Sequence, residues 1–563
     1  MSIYPERLNY YVEGGAVSKS QFSAVATLLS LSHGTTLLPI IDDLVWLSFA
    51  LVLDASQGGH TCIDLAEIER WYPENVEPGV LNWPASAQWC EAVAEQSDLV
   101  ASPATVDQMP RRPFVLDGTR LYVARSFAEE RSVAQWIASA AGSRLEVLLG
   151  GPGSGKTTTV AEQLVARFSQ SSSSNLSVAM AAPTGKAADR MREAIESRLL
   201  AVKASSEVVE RVKQAPSITI HRLLGYSPVR ESGRFEYNHD HPLPYDLVII
   251  DEASMLSLSL MFRLLDALRP TTELFLVGDP EQLASVDAGT VLADISTAAN
   301  IEKSKLHQCT KRLTSQYRYA AGSPIEQVVK AVQSGDANRL VEILEPWRNN
   351  GETVNWIDPS SKISDDVEAF GRLAKEAREH AQKIVALAES SRYSEVLATL
   401  GDMQLLCASR SGQLGIAGWN RTINKWIGTA TRMPWFIGRP VLITKNDHRN
   451  NLYNGDVGVV CRDAQGLVRV VFDGLDGPRE FPTVRLPDVE TVHALTIHKS
   501  QGSEYKHAVV VLPTGRSRLL TRELLYTGVS RARERLTIVA SEESLRSAVT
   551  TPVARASGLA ERL

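Results

Sequence analysis

The stretch "GGPGSGKTTT" at residues 150–159 has the residue types that hold a nucleoside triphosphate. It follows an apolar run that predicts a buried strand and precedes an amphipathic stretch that predicts a helix. Its glycines let backbone N–H groups turn toward phosphate oxygens, and the helix N-terminus adds partial positive charge. Lys156 could reach the β- and γ-phosphates, and the Thr157 hydroxyl could ligate Mg²⁺. We therefore predict an ATP and Mg²⁺ site made by Gly150, Gly151, Pro152, Gly153, Ser154, Gly155, Lys156, Thr157 and Thr158.

Two carboxylates follow another apolar run, in "LVIIDEAS". The run predicts a buried strand, and the carboxyl end of such a strand is the edge where open α/β sheets bind ligands. Asp251 is suited to the Mg²⁺ shell, and Glu252 is suited to orient and deprotonate the attacking water. In "LFLVGDPEQL", Gln282 comes after a further buried strand, and its neutral amide could sense the γ-phosphate.

Two arginines come from the second half of the chain, in "LTSQYRY" and "LLYTGVSRARERL". Arg318 and Arg531 could stabilise charge on a transferred phosphoryl group if a cleft between two domains closed over it. Tyr317, beside Arg318, offers an aromatic face on which adenine could stack. Together with Lys156 and Glu252, these residues predict a nucleotide cleft with catalytic groups on both sides.

The composition is that of an ordinary soluble globular protein, with 44% hydrophobic and 22% charged residues among 563. The net charge of −6 gives no overall attraction for nucleic acid, so a DNA groove would have to be a local patch. The five scattered cysteines have no C-x-x-C spacing, so the sequence predicts no zinc or iron–sulfur site, and they suit reduced thiols in the cytoplasm. The N-terminus has no signal-peptide pattern, and the apolar stretch 44–53 is too short to span a membrane and predicts a core helix.

Hydrophobic patterning divides the chain into four regions. Residues 1–110 are predicted to be mainly helical. Alternating strands and helices predict an α/β domain at 111–310 and a second one made of 311–433 and 491–563. Short β-rich runs separated by Asn-Gly and Asp-Gly turns predict a small β-barrel inserted at 434–490. Two α/β units with one phosphate loop are the pattern of a cleft-type nucleotide motor.

The first region carries four tryptophans and no recognisable motif. One interpretation is that the tryptophans form the core of a small helical domain. The other is that exposed aromatic side chains make this region a docking module for a partner protein. The stretch "VLDGTRLYVARSF" that follows predicts a β-hairpin with Asp117 and Gly118 at its turn.

Eight motifs stand in the order found in superfamily 1 helicases: "GGPGSGKTTT", "APTGKAADRM", "TIHRLLG", "LVIIDEAS", "VGDPEQLASVDAG", "LTSQYR", "ALTIHKSQGSEY" and "LYTGVSRAR". The residues of these motifs resemble those of the branch that moves 5′ to 3′ on single strands, and above all those of the RecD family. The resemblance covers residues 111 to 545 or so, and the insert resembles the SH3-like subdomain of that family. It implies an α/β fold with two RecA-like P-loop NTPase motor domains, a helical N-terminal domain and an inserted SH3-like β-barrel.

The resemblance also implies roles for residues that match the motifs of the family. Gln282 would be the γ-phosphate sensor, and Arg318 and Arg531 would be arginine fingers. Gln501 and Gly502 would couple the nucleotide state to the DNA track. The two motor domains would contact the strand through Pro183, Thr184, His221, Thr496, His498 and Lys499.

One position departs from the family pattern. These helicases usually carry a glutamine before the phosphate loop that reads the adenine amino group. Ser132 stands near that place, and Gln135 is out of register with it. We still predict that ATP is preferred over GTP, because adenine could stack on Tyr317.

The activity implied by the resemblance is ATP-dependent translocation on single-stranded DNA and helicase action at duplex ends. The chain would be the α subunit of the RecBCD exodeoxyribonuclease V complex, with RecB and RecC as partners, in double-strand break repair by recombination. It would have no membrane contact, and DNA cutting would belong to the β subunit. Two other interpretations remain. A stand-alone RecD-like helicase would usually carry a longer N-terminal region, and an ATP-regulated scaffold would not need the strand-contact motifs.

Overall fold

The structure is a computed structural model of the 563-residue chain. It describes residues 4 to 563 apart from 34–41, 72–80, 107–111, 170–175, 228–234, 315–317, 361–363, 429–433 and 475–476 and the single residues 202, 303, 321, 448, 516 and 554. Tyr317, the predicted adenine-stacking residue, therefore lies outside the described residues. None of the described helices combines the length and the apolar composition that a bilayer crossing requires.

The N-terminal part packs four helices against a four-stranded sheet. The helices are α1 (Asn9–Glu13), α2 (Lys19–His33), α3 (Asp43–Gln57) and α4 (Ser86–Ala94), and the strands are β1 (Cys62–Asp64), β2 (Val100–Ala101), β3 (Phe114–Asp117) and β4 (Arg120–Val123). The strand order is β1-β4-β3-β2, and β3 and β4 form the predicted hairpin. Because this hairpin pairs with β1 and β2, the sheet joins residues on both sides of the boundary expected at residue 110.

Helix α3 is the core helix that the apolar stretch predicts. It is buried on nearly all sides, including Trp46 and Phe49, and the Asp42 side chain caps it by accepting from the Leu44 N–H at 2.7 Å. Trp89 is fully buried, and its indole N–H donates to the Leu44 carbonyl at 3.0 Å. Trp46 and Trp89 therefore belong to the core, which favours the first interpretation of the tryptophans in this region.

A six-stranded parallel sheet with its helices forms what we term the first lobe, residues 124–313. Its elements are α5 (Ala124–Ala140), β5 (Leu145–Gly150), α6 (Lys156–Ser169), β6 (Val178–Ala182), α7 (Gly185–Ala201), α8 (Ser206–Gln214), β7 (Ser217–Thr219), α9 (Ile220–Leu223), β8 (Leu247–Ile250), α10 (Leu258–Asp266), β9 (Glu273–Gly278), α11 (Val291–Ala298), α12 (Lys305–Cys309) and β10 (Thr310–Leu313). The strand order is β10-β5-β9-β8-β6-β7. The central strands are buried on both faces, which explains their unbroken apolar runs. Because β10 pairs in parallel with β5, the boundary expected after residue 310 falls inside a strand of this sheet.

A five-stranded parallel sheet with its helices forms the second lobe, residues 324–426 and 494–550. Before the insert it contains α13 (Pro324–Ser334), α14 (Ala337–Leu344), β11 (Val354–Ile357), α15 (Ser364–Glu389), α16 (Tyr393–Leu400), β12 (Met403–Cys407) and α17 (Ile416–Trp426). The insert is an antiparallel sheet of β13 (Pro440–Ile443), β14 (Val457–Arg462), β15 (Val468–Phe472), β16 (Arg479–Pro482) and β17 (Val489–Thr491), in the order β16-β15-β14-β13-β17. The lobe continues with β18 (Ala494–Thr496), β19 (Tyr505–Val511), α18 (Arg522–Val529), β20 (Ala532–Val539) and α19 (Glu542–Thr550), and its strand order is β11-β20-β19-β12-β18.

The C-terminal tail, residues 551–563, leaves the second lobe and packs against the N-terminal part and the first lobe. Its short helix α20 (Leu559–Arg562) buries Leu559 in the core of the first lobe. Arg562 forms ion pairs with Asp117 of the β3–β4 hairpin and with Glu130 of α5. The sequence predicts these residues in the second α/β domain. Thr551 and Val553 do hydrogen-bond α18 of that lobe, but the contacts of Leu559 and Arg562 lie with the other parts of the chain.

Candidate nucleotide site and strand contacts

The phosphate loop connects the carboxyl end of β5 to the N-terminus of α6, as the sequence predicts. Gly153 and Gly155 have φ values of +76° and +87°, which residues with a side chain rarely adopt. Lys156 Nζ lies over the loop and donates to the carbonyl oxygens of Gly150 at 2.6 Å and Gly151 at 3.0 Å. The lysine ammonium and the glycine backbone are therefore in the arrangement that the sequence predicts for phosphate binding.

The loop fits a phosphate group in its shape and in its polar atoms. Ser154 Oγ is buried and has no hydrogen-bond partner among the described residues. A Cβ atom at Gly150 would overlap the Ser154 side chain, and one at Gly153 would overlap Arg318, so neither position has room for a side chain. A tight loop at a helix N-terminus with a lysine above it is an anion-binding arrangement.

Asp251 and Glu252 follow β8 at the same edge of the sheet. The Asp251 N–H donates to the Ala181 carbonyl at 2.9 Å, and its carboxylate accepts from the Glu252 N–H at 2.8 Å. Burial, and then the charge of Glu252, raise the pKa of Asp251 to about 6, and the Lys156 ammonium opposes that rise. Oxygen donors are the ligands that Mg²⁺ prefers, so the donor set of Asp251 and the Thr157 hydroxyl fits that cation.

Gln282 and Arg531 meet across the gap between the two lobes. Arg531 Nη2 donates to Gln282 Oε1 at 3.2 Å, and Gln282 Nε2 donates to Asp279 Oδ2 at 2.9 Å. Arg531 is only 3% exposed, and its Nε donates to the Thr527 carbonyl at 2.9 Å. Burial lowers the pKa of Arg531, while the charge of Glu252 opposes that shift. The arginine is thus held in place, with the predicted catalytic carboxylate close enough to act on its charge.

Arg318 lies between β10 and α13 and packs on the phosphate loop at Gly153. Its Nη1 donates to the Ser530 carbonyl at 2.7 Å, and its Nη2 pairs with the Glu504 carboxylate. Both of these acceptors belong to the second lobe. Arg318 therefore ties the phosphate loop of the first lobe to the opposite lobe.

One cleft of about 1270 Å³ brings these groups together. Its walls include Lys156, Thr157, Asp251, Glu252, Gln282, Arg318, Gly502 and Arg531. Lys156 and the two predicted arginine fingers therefore line the same cavity, as a nucleotide held between two lobes requires. Ser132 and Gln135, on α5, are not among the described residues that line it.

The segment that follows β9 carries further contacts between the lobes. Gln501 Nε2 donates to the Leu283 carbonyl at 2.9 Å, and the Leu283 N–H donates to Thr527 Oγ1 at 3.0 Å. Gln501 and Thr527 belong to the second lobe, and Leu283 is next to Gln282. Gly502, the other predicted coupling residue, has φ +69° and lines the cleft. The predicted coupling residues thus lie where the second lobe touches the segment carrying Gln282.

The predicted strand contacts of the first lobe lie at one edge of its sheet. Pro183 and Thr184 follow β6, and His221 is in α9 directly after β7, the neighbouring strand. His221 packs against Tyr226 and Phe235, with ring centroids 5.5 Å and 6.0 Å away. No motif in the sequence marks these two aromatic residues as part of the site, although Tyr226 stands only five positions after the histidine.

The predicted strand contacts of the second lobe lie at the end of β18. Thr496 is the last residue of that strand, and its Oγ1 accepts from the Lys499 N–H at 3.1 Å. The Lys499 ammonium pairs with Glu490 of the insert at 2.7 Å. Burial lowers the pKa of His498, and the charge of Arg555 lowers it further. The structure brings these residues together but engages Thr496 and Lys499 in contacts within the protein.

One histidine from each set of predicted strand contacts interacts with the charge of a residue in the same hydrogen-bonded pair, Asp287 and Arg555. Burial lowers the pKa of His221, and the charge of Asp287 opposes that shift. Arg555 Nη1 donates to the Asp287 carbonyl at 2.9 Å, and the Arg555 charge acts on His498. Each of these histidines, one from each lobe, therefore interacts electrostatically with one member of the Asp287–Arg555 pair.

The first lobe carries a phosphate loop, and the second lobe contributes a buried arginine to the same cleft. This arrangement of two parallel sheets defines a nucleotide-driven motor of the helicase class. The parts of the chain match three described families. Residues 27–122 match "RecBCD enzyme subunit RecD, N-terminal domain", residues 134–288 match "AAA domain", and residues 491–539 match "UvrD-like helicase C-terminal domain".

Whole proteins with similar sequences identify the family. The chain is 37% identical to the RecBCD enzyme subunit RecD of Mycobacterium tuberculosis, over 93% of this chain and 92% of that protein. It is also 37% identical to the subunit of the same name from Mycolicibacterium smegmatis, over 93% of this chain and 94% of that protein. An ATP-dependent RecD2 DNA helicase from Deinococcus radiodurans is 33% identical, over 77% of this chain and 52% of that protein. The chain belongs to the RecD family, which confirms the resemblance.

Proposed function

We propose that this chain is an ATP-dependent translocase and helicase that moves 5′ to 3′ on single-stranded DNA. The observation that carries the proposal is that Lys156, Arg318 and Arg531 line one cleft between the two lobes. ATP in that cleft would contact both lobes through its terminal phosphate, and hydrolysis would remove that bridge. If each lobe holds the strand in turn, opening and closing of the cleft moves the strand along.

Each residue of the cleft has a separate role in ATP hydrolysis. Lys156 and the loop amides hold the phosphates, and Gln282 senses the γ-phosphate. Glu252 orients the attacking water and accepts its proton. Arg318 and Arg531 stabilise the charge that develops on the transferred phosphoryl group. Support for these roles comes from the contacts of Arg531 with Gln282 and of Arg318 with the phosphate loop.

Thr157 and Asp251 would hold Mg²⁺, which supplies positive charge to the phosphates when bound. The raised pKa of Asp251 supports this assignment, because a nearby cation would favour the ionised carboxylate. Tyr317 would stack on adenine, in place of the glutamine that the family usually carries.

The strand would run across the carboxyl edges of both sheets. Pro183, Thr184 and His221 would contact it from the first lobe, and the second lobe would use Thr496, His498 and Lys499. Gln501 and Gly502 would transmit the nucleotide state to this track, which the Gln501–Leu283 hydrogen bond supports. We assign the two lobes as RecA-like motor domains and the antiparallel insert as an SH3-like subdomain.

We further propose that the chain works as the α subunit of a RecBCD-type exodeoxyribonuclease V, with RecB and RecC as partners, in the cytoplasm. It would unwind duplex ends in double-strand break repair, and cutting would belong to the β subunit. The N-terminal part would dock the partners, since residues 27–122 match a domain named for the RecD subunit. That match, together with 37% identity to a RecD subunit against 33% to the RecD2 helicase, favours a subunit over a stand-alone enzyme.

Strand displacement tests this function. Duplexes with a 5′ or a 3′ single-stranded tail are mixed with the chain, alone and after copurification with RecB and RecC, and unwinding is followed by gel. In the complex, a RecB nuclease-dead and ATPase-dead background isolates the contribution of this chain. We expect ATP-dependent unwinding of the 5′-tailed substrate only.

Two variants complete the design. Lys156→Gln should abolish unwinding and retain strand binding, while Lys375→Gln, at a lysine 76% exposed on α15, should behave as the wild type. Unwinding from the 3′ tail alone, or undiminished unwinding by Lys156→Gln, would contradict the proposal. Full activity without RecB and RecC would favour the stand-alone helicase, and nucleotide binding without any effect of DNA on hydrolysis would favour the scaffold.

A further inference from the structure

Lys186 is the second residue of α7 in the first lobe, and its side chain reaches the second lobe. Its Nζ donates to Ser503 Oγ at 2.8 Å. Ser503 is only 4% exposed, and its chain neighbours Gly502 and Glu504 both line the nucleotide cleft. None of the roles assigned to the cleft or to the strand track uses this lysine.

Ser503 in turn contacts the buried arginine of the cleft. Arg531 Nη1 donates to the Ser503 carbonyl at 3.3 Å, and Arg531 Nη2 donates to Gln282 at 3.2 Å. A continuous series of hydrogen bonds therefore runs from the Lys186 ammonium through Ser503 to Arg531 and Gln282. It begins in the first lobe, crosses to the second, and returns to the first at the γ-phosphate side of the cleft.

The turn that carries Lys186 is also where the strand and the insert would act. Thr184, a proposed strand contact, caps α7 by accepting the Ala187 N–H at 3.2 Å. The ring of Tyr453, in the insert, packs so closely on Gly185 that a Cβ atom there would overlap it. Arg222 of α9 donates to the Tyr453 hydroxyl at 2.7 Å. A strand bound at Thr184 would therefore press on the first turn of α7 from one side while the insert holds it from another.

We propose that Lys186 is a positioning residue that couples strand binding to ATP hydrolysis by holding Ser503, whose carbonyl orients Arg531. The inference rests on the proposed function, because it assigns a regulation to the same nucleotide site. A strand that seats the first turn of α7 sets the position of Lys186. Through Ser503, that position fixes where the Arg531 guanidinium stands when phosphoryl transfer occurs.

The charge of Lys186 gives the coupling a dependence on pH. Burial lowers the pKa of Lys186 to about 8 and the charge of Arg190 on α7 lowers it too, whereas Asp456 and Asp473 of the insert oppose the shift. The ammonium is charged below that pH and loses its proton above it. A charged donor makes the stronger hydrogen bond to a hydroxyl, so coupling weakens as pH rises through 8. An arginine at this position would stay charged over the whole range.

The test measures ATP hydrolysis by the full-length chain at saturating ATP, with and without oligo-dT, from pH 7 to pH 9. In the wild type we expect stimulation by oligo-dT that declines toward pH 9. Lys186→Met should reduce the stimulation ratio about tenfold at pH 7, since a charge-assisted hydrogen bond is lost. Lys186→Arg should retain stimulation at pH 7 and keep it at pH 9. Lys375→Met, at the exposed lysine of α15, is the matched control and should follow the wild type.

Each other result separates this inference from the proposed function. Normal stimulation in Lys186→Met would overturn the role of Lys186 and leave the helicase assignment standing. If the stimulation ratio of Lys186→Arg followed the same pH profile as that of the wild type, the role of Lys186 would also be overturned. A purely structural role of the lysine would give this outcome. Absence of stimulation in the wild type at every pH would overturn the proposed function and this inference with it. Thermal unfolding of each variant shows whether a variant with a reduced stimulation ratio is still folded.

Discussion

The guanidinium of Arg531 lies 3.2 Å from the amide oxygen of Gln282, although the two residues belong to different lobes. Gln282 also donates to Asp279, so its amide is oriented from the first-lobe side. Arg531 is fixed by the carbonyls of Thr527 and Ser503. Two rigidly held polar groups therefore meet at one place in the cleft wall, and a γ-phosphate bound beside them would interact with both.

Replacement of Arg531 by alanine should abolish most ATP hydrolysis, because an arginine of this kind stabilises charge in the transition state. We expect kcat to fall by about 10³-fold or more with oligo-dT present. Strand binding, measured by fluorescence anisotropy with labelled oligo-dT, should change little. Arg546→Ala is the matched control, since Arg546 is a half-buried arginine that pairs with Glu542 on α19 and donates to Asn338 on α14. A loss of less than tenfold in Arg531→Ala would remove this arginine from the catalytic groups.

Gly153 is predicted to be intolerant of even a methyl group because Arg318 packs directly on it. Gly153→Ala would place a Cβ against the Arg318 Cβ at a backbone φ of +76°. Gly142 has nearly the same φ, +78°, and nothing lies within 4 Å of its Cβ position. Both substitutions should cost about 1–2 kcal/mol of stability from the left-handed backbone.

The two glycine variants should differ in activity. Gly153→Ala displaces Arg318 or the loop and should lower kcat for ATP by about 10²-fold, since small errors in position are costly in catalysis. Gly142→Ala should hydrolyse ATP at the wild-type rate. Steady-state kinetics and urea unfolding of both variants provide the comparison. Equal rates in the two would mean that the Arg318–Gly153 contact does not position the nucleotide.

The sequence predicts a site residue where a suitable residue type directly follows a predicted strand. Lys156 and Asp251 each follow a buried run, and parallel strands bring their carboxyl ends to one edge. The β-hairpin at Asp117 is predicted from its turn for the same local reason. Arg531 is identified only through the order of the motifs, because nothing local distinguishes it from a surface arginine.

Contacts with backbone carbonyls and distant partners leave no such signal. Arg318 and Arg531 donate to the backbone carbonyls of Ser530 and Ser503. Every residue type has such a carbonyl, so the sequence does not reveal these contacts. The C-terminal tail is predicted to belong to the second domain, yet Arg562 meets Glu130 more than four hundred positions away. The boundary at 310 is wrong by a few residues because β10 completes the first sheet after the apolar pattern has ended.

Arg562 is predicted to be a main attachment of the C-terminal tail. Its partner Glu130 is fully buried, with Arg562 Nε 3.1 Å from Glu130 Oε1. Arg562→Ala leaves that carboxylate without its cation and should lower the free energy of unfolding by about 3 kcal/mol. Urea unfolding measures the change. The control is Arg546→Ala, whose exposed pair with Glu542 should contribute no more than about 0.5 kcal/mol. Equal effects of the two substitutions would show that the tail is held by its apolar contacts instead.

His60 should make the attachment of the tail sensitive to acid. Its Nδ1 accepts from the Ala556 N–H at 3.1 Å, which requires an unprotonated nitrogen. Burial, and then the charges of Arg555 and Arg518, lower the pKa of His60 to about 3. Because this folded-state pKa lies below the unfolded value, the stabilisation is complete above about pH 6.5 and is lost as the pH falls toward 3.

The expected loss between pH 7 and pH 5 is about 1–2 kcal/mol in the free energy of unfolding. His60→Asn keeps an acceptor for the Ala556 N–H but does not titrate, so its stability should fall less over the same interval. His239→Asn removes a histidine that is 73% exposed and should leave the wild-type slope unchanged. Urea unfolding at both pH values compares the three proteins. If His60→Asn lost as much stability as the wild type between the two pH values, the acid sensitivity would come from other groups. In that case protonation of His60 would not be what releases the tail at Ala556.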